Sequence, residues 1–424
     1  MEIVAATTEQ MKRNDHVSLD MDKLTESVQE ELKSLHTFSN KCSIYRVPKS
    51  LRGSKEYAYT PHIVSIGPIH HGKEELKEME VHKKLYLKQF LEWGNVSVEK
   101  CITTIAERET RLRNCYADNF EQITTEDFVK MVLLDSSFIV MLFVKQYVID
   151  FRINDDRIFG KPWMIDNVRR DMCLLENQIP FFILDDLLKL AATQIQGGAG
   201  YSMIELTRDF FSQSFVDSWV PKNTLEQINF SEVEHFVDLL RICQLQKQGK
   251  QRKPLETPTT PSAMELHQSG VKFQKGILQI PPLFFEDRTE MLFRNLHAFE
   301  QCQYGSGCVS DYIATISFLV RATNDVEILA KEGIIGNWLS DNDAVMKVLQ
   351  DLAKEDTIIS EKFYFADVVE DLNKYCRKRR HRWIAALKQN YFYNPWVSIS
   401  FAAAGALLIL TVIQTVCSVI QITN

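Results

Sequence analysis

Four polar side chains interrupt an apolar stretch near the middle of the chain and could carry chemistry: Asp171, Glu176, Asn177 and Gln178. A buried Glu176 would have a raised pKa and could act as a general acid or base. The structural alternative is that Asn177 and Gln178 hydrogen-bond the backbone groups freed where Pro180 interrupts a helix. We expect the structural role, because the sequence offers no partner for the Glu176 carboxyl.

Three histidines form the second candidate site. His62, His70 and His71 lie in residues 59–72, a stretch punctuated by proline and glycine. Imidazoles so close together could bind a metal ion if a carboxylate or thiolate converged on them. No second cluster at ligand spacing is visible, so we expect local hydrogen bonding, with no metal and no cofactor. An unrecognised hydrolase or transferase using Glu176 or the pair His70 and His71 is the alternative function.

Known catalytic signatures are missing from the sequence. It has no phosphate-binding loop with Lys-Ser/Thr, no His-Glu-x-x-His, no Gly-x-Ser-x-Gly and no kinase motifs. The nine cysteines are scattered and form no Cys-x-x-Cys pair, which disfavours a zinc ribbon or a disulfide framework. A net charge of -7 argues against binding nucleic acid through the overall field. We therefore expect no enzymatic activity and no nucleic-acid partner.

The elements around these residues are predicted to be mainly helical. Apolar residues recur at helical spacing through residues 23–390, whereas residues 1–22 are polar, lack periodicity and are predicted to be disordered. Residues 246–261 combine charge, glycine and three prolines, which predicts a mobile insert dividing two lobes. The β-prone runs at 271–273 and 277–280 flank Lys275-Gly276 and predict a small antiparallel element.

The C-terminal end, residues 391–424, has the composition of a membrane anchor. No charged residue follows Lys388, and residues 396–422 are dominated by aliphatic side chains. A hydrocarbon core of about 30 Å needs about 20 apolar residues in a helix, so this run is long enough for one transmembrane helix. Tyr391, Tyr393 and Trp396 precede it, where aromatic rings favour the headgroup layer.

Basic residues crowd the N-terminal side of this span and almost nothing follows it. They are Lys374, Arg377, Lys378, Arg379, Arg380, Arg382 and Lys388. The positive-inside rule then places the bulk of the chain in the cytosol, at the plasma membrane or an endomembrane, although glycosylation tripeptides at Asn95 and Asn229 speak weakly for the opposite face. We expect the basic stretch to contact anionic lipid.

Eight segments follow one another along the chain: IYRVPKSLR (44–52), SIGPIHHG (65–72), MEVHKKLYL (79–87), MVLLDSSFIV (131–140), DMCLLENQIPFFIL (171–184), SAMELHQSGVKF (262–273), TEMLFRNLHAFEQC (289–302) and YFYNPW (391–396). This ordered set of motifs resembles the large land-plant family of unknown function numbered 247. The resemblance implies a plant-specific helical domain with a C-terminal transmembrane anchor and no established catalytic residues. Some grass members of that family are implicated in self-incompatibility. Asp135-Ser136 stands where the family commonly has Asp-Gly.

These observations favour a membrane-anchored recognition or scaffold protein without evident catalysis, acting in cell-cell recognition or signalling such as self-incompatibility. Its expected partners are the lipid bilayer and an unidentified protein, with a second copy of the chain as one option.

Overall fold

Most of the chain folds into helices, which confirms the predicted mainly α architecture. The computed structural model describes residues 20–34, 42–53, 55–152, 156–192, 200–212, 228–244, 253–271, 273, 283–286, 288–304, 307–354, 362–378 and 395–423. The helices are α1 (Met21–Ser34), α2 (Lys49–Arg52), α3 (Lys77–Gly94), α4 (Val98–Ala106), α5 (Glu109–Arg113), α6 (Thr125–Tyr147), α7 (Pro162–Asp171), α8 (Phe181–Ala192), α9 (Met203–Phe211), α10 (Phe236–Gln244), α11 (Ala263–Gln268), α12 (Thr289–Tyr304), α13 (Cys308–Leu319), α14 (Thr323–Lys331), α15 (Asn342–Lys354), α16 (Ala366–Arg377) and α17 (Pro395–Thr423). Short 3₁₀ turns lie at Glu56–Ala58, Glu74–Leu76, Ile149–Phe151 and Phe230–Glu232.

Helix α6 lies at the centre of the first part of the fold. The Thr124 side chain caps its N-terminus by accepting a hydrogen bond from the amide of Asp127. Its residues from Met131 to Gln146 are all buried, and the helix packs against α3, α4, α8 and α9. A helix that is apolar on every side is stable in water only when other helices surround it. The apolar run of α6 therefore determines where the neighbouring helices go.

Helices on the two sides of residues 246–261 contribute to one hydrophobic core. In the second part, α12 packs against α10 and α13, while α15 packs against α13 and α14. Of the predicted insert, residues 253–261 are described: Lys253 forms an antiparallel bridge with Phe363, and Leu255 is buried. Residues 245–252 lie outside the described residues, so the mobility of the insert stays a prediction.

The small sheet corrects one detail of the predicted fold. Strand β1 (Leu283–Phe285) pairs in parallel with β2 (Ile335–Asn337), not antiparallel to a neighbouring run. Helices α12, α13 and α14 lie between the two strands in sequence, and parallel strands need such a crossover. Residues 277–280, the second run of the predicted hairpin, lie outside the described residues.

Two compact units divide the chain, residues 1–40 and residues 41–424. The described part of the first unit is α1 with Asp20, and its apolar side chains Leu24, Val28 and Leu32 are exposed. The predicted disorder of residues 1–22 concerns a segment of which residues 1–19 lie outside the described residues. All nine cysteines in the chain are free thiols.

The C-terminal helix α17 is the one helix among the described residues that is long and apolar enough to cross a membrane. The qualifying stretch is Ala402–Gln421, 20 residues long, and none of it is buried against the rest of the chain. By length and composition it matches the predicted span.

Candidate functional site

The four polar residues singled out in the sequence surround one segment, residues 59–72, which we call the motif loop. Helix α7 ends at Asp171 and α8 begins at Phe181, so Glu176, Asn177 and Gln178 lie in the connection between the two helices. All four side chains are buried. Their polar atoms can be satisfied only by protein groups, and the motif loop supplies many of them.

Asp171 binds the start of the motif loop. Its carboxylate accepts hydrogen bonds from the backbone amides of His62, Ile63 and Val64, with N–O distances of 3.0, 2.6 and 3.0 Å. The Arg170 guanidinium also donates to it at 2.8 Å. Burial raises the pKa of the Asp171 carboxyl, and the three amides and the arginine only partly offset that rise. The carboxylate acts here as an anchor for backbone.

Asn177 and Gln178 satisfy backbone groups, as the structural interpretation predicts. The Asn177 side chain accepts from the amide of Ile66 at 2.7 Å and donates to the carbonyl of Val64 at 3.0 Å. The Gln178 amide nitrogen donates to the carbonyl of Leu174 at 2.6 Å, and its oxygen accepts from the amide of Phe236 at 3.0 Å. Gln178 therefore also joins the α7–α8 connection to the start of α10.

Glu176 has partners that the sequence did not reveal. Its carboxylate accepts hydrogen bonds from the Val47 amide at 2.6 Å and from the Arg52 guanidinium, and lies 3.1 Å from Nε2 of His70. Burial raises the pKa of the Glu176 carboxyl, but bonds from His70, Arg52 and Val47 outweigh it, so the pKa is lowered. The raised pKa hypothesised for a general acid is therefore wrong. An ionised carboxylate held by Arg52 and by the Val47 amide matches a structural clamp.

The three histidines do not converge. His70 is buried beside Glu176, whereas His62 and His71 are exposed. Within the described ranges, no group of three or more His, Cys, Asp and Glu side chains could hold a metal ion. Four tetrahedral donors are the usual set for zinc, and this loop brings one imidazole to one carboxylate.

A buried charge network below the motif loop was missed in the sequence. The Lys83 ammonium on α3 lies 2.6 Å from the Asp135 carboxylate and 2.5 Å from that of Glu80, and donates to the carbonyl of Ser65 at 2.6 Å. Asp135 also accepts from the amide of Gly67 at 2.8 Å. Burial lowers the pKa of the Lys83 amine, but the two carboxylates raise it more, so its pKa lies above the ordinary value and the charge is kept.

Helical spacing could have identified this network. Lys83 lies four residues after Met79 and three before Tyr86, on the face of α3 that is buried. Asp135 lies within the buried run of α6. A charged side chain on an apolar face signals a buried partner, although the partner itself is 52 residues away in sequence.

A serine, a histidine and a glutamate meet at the start of α13. Ser310 Oγ lies 2.8 Å from Nδ1 of His297 and donates to the Glu300 carboxylate at 3.0 Å. Glu300 also accepts from the amides of Val309 and Ser310 at 3.1 and 2.9 Å, so it caps the helix. All three side chains are buried. The residue types suggest nucleophilic catalysis, but the bonds describe a closed helix cap.

The predicted membrane-flanking residues are only partly described. Lys374 and Arg377 lie in the last turn of α16, and Lys378 follows it; all three are exposed. Trp396 at the start of α17 is 75% exposed. Arg379, Arg380, Arg382, Lys388, Tyr391 and Tyr393 lie outside the described residues.

Comparison with known proteins identifies one family and two plant relatives. The sequence matches DUF247, described as "Plant protein of unknown function", over residues 44–410. UPF0481 protein At3g47200 of Arabidopsis thaliana is 26% identical over 425 residues, which cover 90% of this chain and 87% of that protein. Putative UPF0481 protein At3g02645 of the same plant is 23% identical, covering 88% of this chain and 89% of that protein. No solved structure matches the chain.

Proposed function

The chain belongs to DUF247, a plant family of unknown function, and from that premise we propose that it is a membrane-anchored recognition or scaffold protein. One observation carries the proposal. Ala402–Gln421 forms an apolar helix with no part buried against the chain, and water is a poor solvent for 20 consecutive apolar residues. A bilayer provides the missing burial.

The orientation follows from charge. Lys374, Arg377 and Lys378 are exposed on the N-terminal side of α17, and by sequence four more basic residues continue the cluster to Lys388. This asymmetry supports a cytosolic position for the helical domain and contact between the cluster and anionic headgroups of the plasma membrane or an endomembrane. Trp396 would lie at the headgroup layer together with Tyr391 and Tyr393.

The buried polar network supports recognition rather than catalysis. Asp171 and Lys83 bind backbone groups of the motif loop, and Glu176 lies beside His70 of the same loop, which fixes the motif loop. The exposed end of this loop, His71 and Gly72, is a surface that a protein partner can bind. We propose cell-cell recognition or signalling, such as self-incompatibility, as the process in which the protein acts.

The test combines topology with partner identification. A proximity-labelling enzyme at the N-terminus and a glycosylation reporter after Asn424 are placed in the same full chain, expressed in plant cells. We expect a glycosylated C-terminal reporter and a reproducible set of cytosolic and membrane-protein neighbours. A chain ending at residue 394 serves as the matched control, and we expect it to lose the membrane neighbours.

Two glycosylation tripeptides that the chain already contains provide a second test of the orientation. Asn95 and Asn229 are both exposed, so a lumenal domain would accept glycans there. Glycans on these residues, removed by Asn95→Gln and Asn229→Gln, together with an unmodified C-terminal reporter, would contradict the cytosolic orientation. Recovery of the full chain in the soluble fraction would contradict the anchor itself.

A further inference from the structure

Both glutamines of α17 and three of its six hydroxyl residues lie in one row along the helix, whereas Ser398, Thr415 and Thr423 lie outside that row. Spaced alternately four and three residues apart, one row runs along the helix: Ser400, Ala404, Leu407, Thr411, Gln414, Ser418 and Gln421. This is the spacing at which two helices keep one seam in contact along their length. We call this row the polar seam.

The opposite face of α17 has a different composition. From the middle of the span onward its residues are all β-branched and aliphatic: Ile409, Val412, Ile413, Val416, Val419 and Ile420. Such a face is well suited to lipid chains. Apart from Leu407, the polar seam consists of small residues, which let helix backbones approach closely, and of two side-chain amides.

The amide of Gln414 needs a partner inside the bilayer. It lies about 4 Å along the helix axis from the middle of Ala402–Gln421, well within a hydrocarbon core of about 30 Å. Within the described residues neither Gln414 nor Gln421 makes a side-chain hydrogen bond, whereas the Thr411 hydroxyl donates to the carbonyl of Leu407 at 2.8 Å. An amide without a partner in hydrocarbon is strongly unfavourable.

The described residues contain no second span that could supply that partner, because α17 is the one membrane-length apolar helix among them. A glutamine amide carries both donors and an acceptor, so two copies of the same residue satisfy each other across a two-fold axis. On the basis of the proposed membrane span, we propose that two copies of this chain associate through the polar seams of their α17 helices, with Gln414 bonded to Gln414 of the second copy.

Cysteine cross-linking of the full chain in membranes tests which face of α17 lies in the contact between the two copies. In a Cys417→Ser background, single cysteines are placed on the seam (Leu407→Cys, Thr411→Cys, Ser418→Cys) or on the opposite face (Val412→Cys, Ile413→Cys, Val416→Cys) and oxidised mildly. We expect dimers from the seam positions, and several-fold less from the opposite face. The Cys417→Ser background alone reports any cross-link through the remaining cysteines.

A second measurement tests the amide itself. Energy transfer between donor- and acceptor-labelled copies in phosphatidylcholine vesicles gives the dissociation constant of the dimer. We expect Gln414→Leu to raise that constant about 3- to 30-fold, which corresponds to the loss of one hydrogen-bonded contact in a membrane. The matched control Gln414→Leu with Val412→Gln keeps the number of amides in the span but moves one amide off the seam, and should be as weak as Gln414→Leu.

The outcomes separate this inference from the anchor on which it rests. If alkaline carbonate extracted the chain from membranes, that result would contradict both the membrane span and the pairing that depends on it. A carbonate-resistant chain that cross-links equally from both faces, or preferentially from Val412 and Val416, would leave the anchor intact and overturn the seam. Cross-links only to a different protein would likewise overturn self-association.

Discussion

The motif loop and helix α17 both place polar side chains among apolar ones, but they satisfy those groups in different ways. Around the motif loop, Asp171, Glu176 and Lys83 each contact several partners inside the same chain. In α17, Gln414 and Gln421 have no such partner among the described residues. Polar groups that are hydrogen-bonded within the chain stabilise its fold, so the first region holds the motif loop in place. Polar groups without a partner in the chain need one from another molecule, so the second region indicates an interaction surface.

Removing the buried lysine of the motif-loop region should give the largest loss of stability. Lys83→Met leaves the Asp135 carboxylate buried without its ammonium partner, so we expect the free energy of unfolding to fall by about 3–5 kcal/mol. Urea titration of the detergent-solubilised full chain measures it, with the exposed neighbour Lys84→Met as the control. The fraction resistant to carbonate should not change in either variant. A loss below about 1 kcal/mol for Lys83→Met would mean that the pair contributes little.

The close approach of the motif loop to the α7–α8 connection provides the next test. Gly67 has φ +73°, and an added Cβ would overlap the Gln178 carbonyl oxygen and lie 3.0 Å from the Tyr116 hydroxyl. We expect Gly67→Ala to reduce the free energy of unfolding by about 2–4 kcal/mol, from backbone strain plus overpacking.

Gly72 separates these two effects. Its φ is +80°, but an added Cβ would meet no atom within 4 Å. Gly72→Ala should therefore show the strain alone, about 1 kcal/mol, in the same urea titration. Equal losses for Gly67→Ala and Gly72→Ala would show that the contact with Gln178 is not limiting.

Acid should distinguish the two regions, because α17 carries no carboxyl, imidazole or amine side chain. His235 is buried, with Nε2 2.9 Å from the Ser43 carbonyl and Nδ1 accepting from the Asp238 amide at 3.2 Å. Burial lowers the pKa of the imidazole from 6.5 to about 4. Between pH 6.5 and 4 the imidazole is therefore protonated in the unfolded chain but not in the folded chain. The free energy of unfolding falls as the pH drops through this range.

We expect this single group to cost about 2–3 kcal/mol by pH 4.5. The measurement is the free energy of unfolding against pH for the native chain and for His235→Gln, since the difference between the two curves isolates the imidazole. Two parallel curves between pH 6.5 and 4.5 would contradict a buried neutral His235. Carbonate-resistant binding to membranes, measured after exposure to the same pH range, should stay constant.

Two neighbouring serines on α6 offer the smallest and most closely matched test. Both are fully buried, but the Ser137 hydroxyl donates to the Leu133 carbonyl at 2.7 Å, while the Ser136 hydroxyl makes no hydrogen bond within the described residues. Ser137→Ala should lower the free energy of unfolding by about 1 kcal/mol, and Ser136→Ala should raise it by a similar or smaller amount. The same sign for both would show that Ser136 has found a partner.

Local patterns determined much of the fold before any coordinates. Helical spacing identifies α3, α6, α8 and α12, because the 3.6-residue period and the burial of one face are properties of each segment by itself. Pro180 likewise marks the start of α8, whereas α7 already ends at Asp171. Composition alone predicts the apolar helix α17, because a run of 20 apolar residues is typical of a helix of membrane length.

The polar site could be named in part but not interpreted from sequence. Asp171, Glu176, Asn177 and Gln178 stand out because polar groups are rare in apolar runs, and the need for hydrogen bonds could be stated at once. Their partners could not be, since Val47 and Glu176 are separated by 129 positions in the chain. The direction of the Glu176 pKa depends on those partners, which is why the sequence suggested the opposite sign.

The sequence by itself therefore determined the helical class, the apolar C-terminal helix and the set of polar residues that need hydrogen-bond partners when buried. Only the tertiary structure decided that β1 pairs in parallel with β2, that Lys83 meets Asp135, and that Glu176 is an ionised clamp on the segment before the motif loop. The physical reason is that periodicity and composition act within a few turns of chain, whereas hydrogen bonds and ion pairs join whichever groups the packing of helices brings within about 3 Å.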